Sequence, residues 1–384
     1  MEKYFAKTLM GLEDLLVEEL KACGAQKVEK DVRGASFEAD LQGLYRVHYI
    51  SRFTIRVSKE IFTFRAKDPE ELYKNAIRLN WRPHIDLDKT FAISHSVNSK
   101  FFTHSQYAAL KLKDSIVDHF RMKKGRRPNV NVKFPDTRLL LHINDDFVRI
   151  SLDLTGKSLH QRGFRPAQTV APINEVLAAG MIALSGWDKE TSFLDPMCGS
   201  GTITLEAIMS ACNIPSQFQR HHFDFMNLEN FDEELWKKVV SEEKAKIKSV
   251  DTTFRASDLQ ANSLKELETS LQRLPVKVNV KIKHQDFFKI QRAREKWHLV
   301  LNPPYDERIK AEDVDDLYEQ IGNKLKHDFA GCSAWIISSN MDALKHVGLK
   351  PSKKINLKNG SLDCKYQGFE MHEGKRKEFL KKKA

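Results

Sequence analysis

The sequence predicts an α/β chain in two parts: a doubly wound, mostly parallel sheet in residues 173–384, preceded by smaller α+β units in residues 1–155. Three observations carry this expectation. The first 155 residues alternate short helical and strand patterns. Thr155 to Pro172 then holds two glycines, two prolines and few apolar residues, which marks a junction over 156–172. After the junction the rhythm becomes strand then helix, repeated, which is the pattern of parallel strands joined by helical crossovers.

Leu12, Leu15, Leu16 and Leu20 share one helical face, closed by Gly24. Lys27 to Val32 and Ala35 to Ala39 flank Arg33-Gly34 and predict a hairpin. A helix over Pro69 to Leu79 and a strand over Thr90 to Val97 follow. Ala109, Leu112, Ile116 and Phe120 mark a longer amphipathic helix, and Val130 to Val132, Leu139 to Ile143 and Phe147 to Leu154 complete a sheet. Beyond the junction, Val176 to Leu184 is an apolar helix ended by Ser185-Gly186. Strands are expected at Thr191 to Leu194, Thr253 to Ser257, Val276 to Lys283, Trp297 to Leu301 and Ala334 to Ser338. Val314, Leu317, Tyr318, Ile321 and Leu325 line one face of an intervening helix. Lys354 to Lys358 and Ser361 to Tyr366 flank Asn359-Gly360, so an antiparallel hairpin should finish the sheet. Asn213 to Val250 is too long for an ordinary connection, and its aromatic and charged residues predict an inserted helical subregion.

Lys and Arg outnumber Asp and Glu by 63 to 52 in 384 residues, which points toward a polyanionic partner such as nucleic acid. The five cysteines form no Cys-x-x-Cys pair, and His221-His222 has no matching ligand cluster, so no metal is expected. Glu13, Asp14, Glu18 and Glu19 interrupt the leucines of the first twenty residues, which excludes a signal peptide there. With no long uncharged apolar run elsewhere, a cytoplasmic protein without membrane attachment is expected.

The chemistry is expected at the carboxyl ends of the parallel strands. Asp195-Pro196-Met197-Cys198-Gly199-Ser200-Gly201-Thr202 bends from the first strand into a helix, and its glycines let backbone approach a ligand. The match to a dinucleotide fingerprint is partial, because Thr204 stands at the third glycine position, and no Gly-Lys-Ser/Thr follows to make a P-loop. Asp195 disfavours phosphate and suits an ammonium group. Asp258, followed by Leu259, can accept from ribose hydroxyls; Asp286 can accept from an adenine amino group while Phe287 stacks on the base. Each acid alone reads more readily as a helix cap or turn residue than as a ligand group. Three acids ending three successive strands describe a pocket for S-adenosylmethionine. Cys198 has no paired histidine motif and reads as a small residue filling a tight turn. After Leu299-Val300-Leu301, Asn302-Pro303-Pro304-Tyr305 forms a rigid edge holding an amide and an aromatic ring, suited to a flat, nitrogen-bearing group.

These motifs together resemble the class I methyltransferases acting on exocyclic amines. Leu159-His160-Gln161-Arg162-Gly163-Phe164-Arg165, followed by Ala171-Pro172-Ile173-Asn174-Glu175, narrows the resemblance to the THUMP-containing RNA guanine-N2 methyltransferases, and within them to the bacterial enzymes modifying 23S ribosomal RNA. The resemblance spans nearly the whole chain. It implies a ferredoxin-like unit over 1–50, a THUMP RNA-binding domain over 51–155, and a Rossmann-like class I methyltransferase domain over 173–384. It implies that Asn302 and the Pro303 carbonyl accept the amino hydrogens of guanine, that Tyr305 stacks on the base, and that Asn302 also borders the cofactor. Asp306 stands where members of the family commonly have glycine. Other enzymes share the tetrapeptide, and a tRNA guanine-N2 methyltransferase or an inactive RNA-binding assembly factor remains an alternative.

For the RNA itself, Arg121, Lys123, Lys124, Arg126 and Arg127, with Lys111 and Lys113 nearby, are the expected phosphate contacts; the alternative is a solvated helix end. Arg162 and Arg165 are expected to meet RNA, or else to organise the cofactor pocket. The terminal runs Lys375-Arg376-Lys377 and Lys381-Lys382-Lys383 read as a frayed end.

Overall fold

In a computed structural model, the structure describes residues 1–164, 173–291, 295–304 and 311–372. Two sheets organise it. The front sheet contains β1 (Glu2–Lys7), β2 (Gln26–Asp31), β3 (Gly34–Ala39), β4 (Arg56–Arg65), β5 (Thr90–Asn98), β6 (Asn129–Val130), β7 (Thr137–Asn144) and β8 (Phe147–Asp153), in the order β2-β3-β1-β4-β8-β7-β5-β6. Four helices cover it: α1 (Glu13–Ala22), α2 (Leu41–Ile50), α3 (Pro69–Ala76) and α4 (Ser105–Lys124).

β4 joins the front half into one sheet, pairing antiparallel with β1 on one side and β8 on the other. The sequence patterns do not single out β1, β4 or α2. A register shift between Glu60 and Phe62 breaks the alternation of β4. α2 is built from residues of modest helix propensity, including Gly43, Tyr45, Val47 and Tyr49. Its amino end is held by Asp40, which accepts from Gly43 N at 2.8 Å, and its Leu44, Tyr45 and Val47 are buried, so capping and tertiary packing outweigh propensity.

The second sheet comprises β9 (Ser192–Asp195), β10 (Phe254–Asp258), β11 (Val280–His284), β12 (Trp297–Leu301), β13 (Ser333–Ser338), β14 (Lys353–Asn359) and β15 (Leu362–Glu370). Its order is β11-β10-β9-β12-β13-β15-β14, parallel from β11 to β13 and antiparallel at β15 and β14. The expected closing hairpin is present, with Gly360 at φ +62° in its turn. α5 (Glu175–Leu184), α6 (Thr202–Ala211), α8 (Ala261–Leu271), α9 (Ala311–Asp328) and α10 (Ala343–His346) accompany the strands. β12 is buried along its whole length, as expected of a central parallel strand.

The inserted segment after α6 holds a short 3₁₀ turn, Asp224–Asn227, and α7 (Glu233–Lys244). Its middle packs on the front half, whereas its two ends, Ile214 and Phe218 before and Ile247 and Val250 after, stay with the core of the second sheet. Phe223, Phe225 and Val239 lie in the same apolar core as Phe37, Tyr45 and Leu154. The Phe225 ring stacks on Tyr45 at 4.9 Å, and the Trp236 ring meets Tyr45 edge-on at 5.8 Å.

Candidate functional site

Strand order reverses at β9: the chain continues to β10 and β11 on one side, then crosses to β12 and β13 on the other. Crevices form outside the carboxyl ends of strands at such a switch. Asp195 ends β9, Asp258 ends β10, Asp286 follows β11, and Asn302 follows β12. Three acids and one amide therefore stand in a row on four adjacent parallel strands.

The Asp195 side chain is fully buried. Its Oδ2 accepts from the Thr204 hydroxyl at 2.9 Å, whereas Oδ1 is buried with no hydrogen-bond partner. Thr204, out of place in a dinucleotide fingerprint, therefore serves the acid. Burial pushes the Asp195 carboxyl up to about 7, the Thr204 hydroxyl opposes that rise, and the Asp258 charge adds to it.

Backbone groups between β9 and α6 are fixed by the neighbouring strand. Asp258 Oδ2 accepts from Gly199 N at 2.7 Å, and its Oδ1 accepts from Gln260 N at 2.9 Å. Cys198 N donates to the Ser257 carbonyl at 3.1 Å. Gly199 and Gly201 lie at φ +53° and +80°, left-handed backbone that favours glycine. A Cβ on Gly201 would stand 2.3 Å from Leu267 Cδ1, so the close approach of α8 requires glycine there; a Cβ on Gly199 would meet nothing within 4 Å, which leaves that backbone open. Gly201 caps α6, and Thr202 begins it. Met197 is half-buried, and burial pushes the Cys198 thiol well above its ordinary range, so it is no nucleophile at neutral pH.

Asp286 caps the next 3₁₀ turn, with Oδ1 accepting from Phe288 N at 3.0 Å. Phe287 corrects the expectation placed on it. Its ring is only 2% exposed and stacks on Phe329 at 6.0 Å inside the core, so it offers no free face to a base. Leu259, 67% exposed beside Asp258, is the accessible apolar side chain of this rim.

Asn302 is half-buried, and its Oδ1 is buried without a partner; Pro303 is buried and Pro304 half-buried. A buried polar oxygen left unpaired costs about 1–3 kcal/mol, so two of them, the amide Asn302 Oδ1 and the carboxyl Asp195 Oδ1, at the ends of neighbouring strands fit a site completed by ligands that donate hydrogen bonds. Tyr305, Asp306 and Arg165 lie outside the described residues, as do the terminal lysine and arginine runs.

Arg162 is also corrected. It is 3% exposed, and its guanidinium is committed to Glu206 Oε1 at 2.9 Å, the Leu159 carbonyl at 2.7 Å and the Arg52 carbonyl at 2.7 Å, so it cannot reach a phosphate. Arg52, which the sequence patterns do not mark, donates to the Met209 and Ile214 carbonyls at the carboxyl end of α6 and stands 3.7 Å from Glu206 Oε2. These two arginines hold the helix that starts at the glycine bend.

The basic end of α4 is exposed at Arg121, Lys123, Lys124, Arg126 and Arg127. Arg121 pairs with Asp118 at 3.1 Å and Arg126 with Asp88 at 2.8 Å. Lys113 pairs with Asp114 at 2.8 Å, and Lys111 pairs with Glu70. Lys123, Lys124 and Arg127 hold no ion pair among the described residues.

Among the described residues, no group of three or more His, Cys, Asp or Glu side chains could hold a metal ion, and no helix is long and apolar enough to cross a membrane.

Comparison with known proteins accords with this geometry. Residues 162–368 match the RMKL-like methyltransferase domain, 66–153 the THUMP domain and 3–58 the RlmL ferredoxin-like domain. A ribosomal RNA large subunit methyltransferase K/L of Aliivibrio salmonicida is 36% identical over 97% of the chain, which covers 54% of that relative. The chain thus spans about half the length of the K/L relatives it matches. The "Putative RNA methyltransferase slr0064" of Synechocystis is 33% identical, with 96% of this chain and 97% of that protein aligned. Among solved structures, "a putative methyltransferase complexed with SAH" superposes with a TM-score of 0.86 at 25% identity, covering 97% of this chain and 99% of that one. With the switch-point row of acids, the glycine bend and matches running from residue 3 to residue 368, the chain belongs to the RMKL-like methyltransferase family, carrying ferredoxin-like and THUMP modules ahead of the methyltransferase domain.

Proposed function

We propose that the chain transfers a methyl group from S-adenosylmethionine to the N2 amino group of a guanine in RNA, with 23S ribosomal RNA as the substrate. The observation that carries this reading is the buried, unpartnered Asn302 Oδ1 at the end of β12, beside the row Asp195, Asp258 and Asp286. The names of the relatives support the choice of ribosomal RNA. We assign 1–50 to a ferredoxin-like unit, 51–155 to the THUMP domain, 156–172 to a linker and 173–384 to the methyltransferase domain, in a cytoplasmic protein.

S-Adenosylmethionine, when bound, supplies an electrophilic methyl group on a sulfonium. Asp195 Oδ1 would accept from its ammonium, Asp258 from the ribose hydroxyls and Asp286 from the adenine amino group. Leu259 would cover the adenine, and Met197, Cys198, Gly199, Gly201 and Thr202 would line the amino-acid arm. The guanine must leave its stack to reach Asn302. Asn302 Oδ1 and the Pro303 carbonyl would accept its two amino hydrogens, with Tyr305 against the ring. These acceptors localise the nitrogen lone pair and stabilise the positive charge that grows on it. Transfer from the bound sulfonium would leave the guanine nitrogen a cationic ammonium and the donor a neutral thioether, and that ammonium would lose its proton to water, so Asn302 and Pro303 need supply no strong base.

The test is tritiated-methyl transfer to total RNA from cells lacking the enzyme, fractionated into 23S, 16S and transfer RNA, followed by nucleoside mass spectrometry. N2-Methylguanosine in 23S RNA is expected. Label confined to transfer RNA would overturn the ribosomal assignment, methyladenosine the guanine assignment, and cofactor binding without transfer to any RNA the enzymatic one.

A further inference from the structure

An exposed apolar tip between β6 and β7 stands apart from the site above. Val132 is 75% and Phe134 68% exposed. Large apolar side chains left in water at a loop tip bury nothing within their own fold, and an aromatic ring in a basic surround is a stacking surface for nucleobases.

The tip is held, not loose. At its start, β6 pairs parallel with β5, and Asn131 N donates to the Phe91 carbonyl at 3.1 Å. In its middle, Asn131 Oδ1 accepts from Lys133 N at 3.2 Å and Phe134 N at 3.0 Å, an Asx turn that fixes the backbone carrying both side chains. At its end, Asp136 Oδ2 accepts from Thr90 N at 2.8 Å and Thr90 Oγ1 at 2.6 Å, while the Asp136 carbonyl accepts from Asn227 Nδ2 at 2.9 Å. The ring is thus presented on a fixed base, which lowers the entropy lost when a ligand stacks on it.

The surroundings select the ligand. Residues 121–138 contain seven basic side chains, Arg121, Lys123, Lys124, Arg126, Arg127, Lys133 and Arg138, against one acid, Asp136. That acid is turned inward onto Thr90. Lys133 Nζ stands 5.5 Å from the centre of the Phe134 ring. A cation over one face of a ring that is 68% exposed leaves the remaining surface for a base and its own charge for the phosphate, and fits a neutral or basic protein partner poorly.

We propose that Phe134 is a stacking platform for an unpaired RNA base, with Lys133 and Arg127 contacting the adjoining phosphates. This rests on the reading of the chain as an RNA methyltransferase and adds to it a contact that grips single-stranded substrate on the front half. The full chain is titrated against a fluorescein-labelled oligouridylate about twelve nucleotides long, a length within the span of one single-strand site. Phe134→Ala should weaken binding roughly tenfold with an unchanged salt slope, and Phe134→Tyr should restore it. Arg127→Gln should flatten the log–log salt slope by about 0.7, the loss of one single-strand phosphate contact. Wild-type affinity in Phe134→Ala, or failure of the tyrosine to rescue, overturns the platform. So does a Phe134→Ala effect seen only with ribosomal proteins. Methyl transfer to total RNA is measured on the same samples. Phe134-dependent binding with no transfer to any RNA condemns the enzymatic reading alone, whereas normal transfer with kcat/KM unaltered in Phe134→Ala condemns the platform alone.

Discussion

Asn302 and Asp195 each keep one buried oxygen unpaired, yet they answer to different tests. For Asn302→Ala, the proposed role requires a loss of kcat equivalent to about 3–4 kcal/mol, with cofactor binding retained by calorimetry. Unchanged turnover would remove Asn302 from the reaction. Asp195 predicts a pH dependence. An ammonium binds the ionised acid, and burial has lifted this carboxyl to about 7. Below that pH a proton must be displaced first, so affinity for S-adenosylhomocysteine should weaken by up to tenfold per unit and stay level above it. Titration from about pH 5.5 to 8.5 tests this, and Asp195→Asn should lose both affinity and the pH dependence. The same raised value lowers stability as pH climbs from 3.8 to about 7, because the unfolded chain ionises first. Both residues were legible in the sequence through their places after short apolar runs. The burial of Phe287 and Arg162 was not, because a residue type at a strand end or a motif position does not reveal whether its side chain turns inward.

At the scale of the element, α6 links the glycine bend, where the cofactor pocket is proposed, to the front half. Gly201 caps its start, Glu206 sits mid-helix against Arg162, and Arg52 takes the carbonyl of Met209 in its last turn and that of Ile214 just beyond. Glu206 is 2% exposed, so Glu206→Ala would strand the buried Arg162 guanidinium and the partly buried Arg52 guanidinium without their carboxylate. A loss of about 3–5 kcal/mol in chemical denaturation is expected, with Glu206→Gln less severe. A change below about 1 kcal/mol would show that the cluster does not hold the helix, since that is the range of exposed pairs. The helix itself was readable from its position after a glycine bend. Its partners come from residue 52 and residue 162, and pairing across such sequence distances leaves no local pattern to read.

On the scale of the whole molecule, the insert makes the two sheets one body. Phe225, from the methyltransferase side of the chain, is 1% exposed and stacks between Tyr45 and Phe223 of a shared core. Leu12 of the front half reaches the opposite way, into the core around α5, where a Cβ on Gly180 would stand 2.5 Å from it. Phe225→Ala should cost about 3–5 kcal/mol by denaturation and loosen both halves together. Unfolding of the front half alone, by limited proteolysis, would contradict this coupling. By itself the sequence determined the strand–helix rhythm, the closing hairpin, the glycine bend and the acids and amide at strand ends, because periodicity, turn chemistry and backbone restriction act over a few residues. Only the tertiary structure decided that β4 fuses the front half into one sheet, that the insert folds back onto it, and which oxygens stay buried without partners. Those outcomes depend on packing between residues far apart in the chain, where the free energy of burial selects among arrangements that local patterns leave equal.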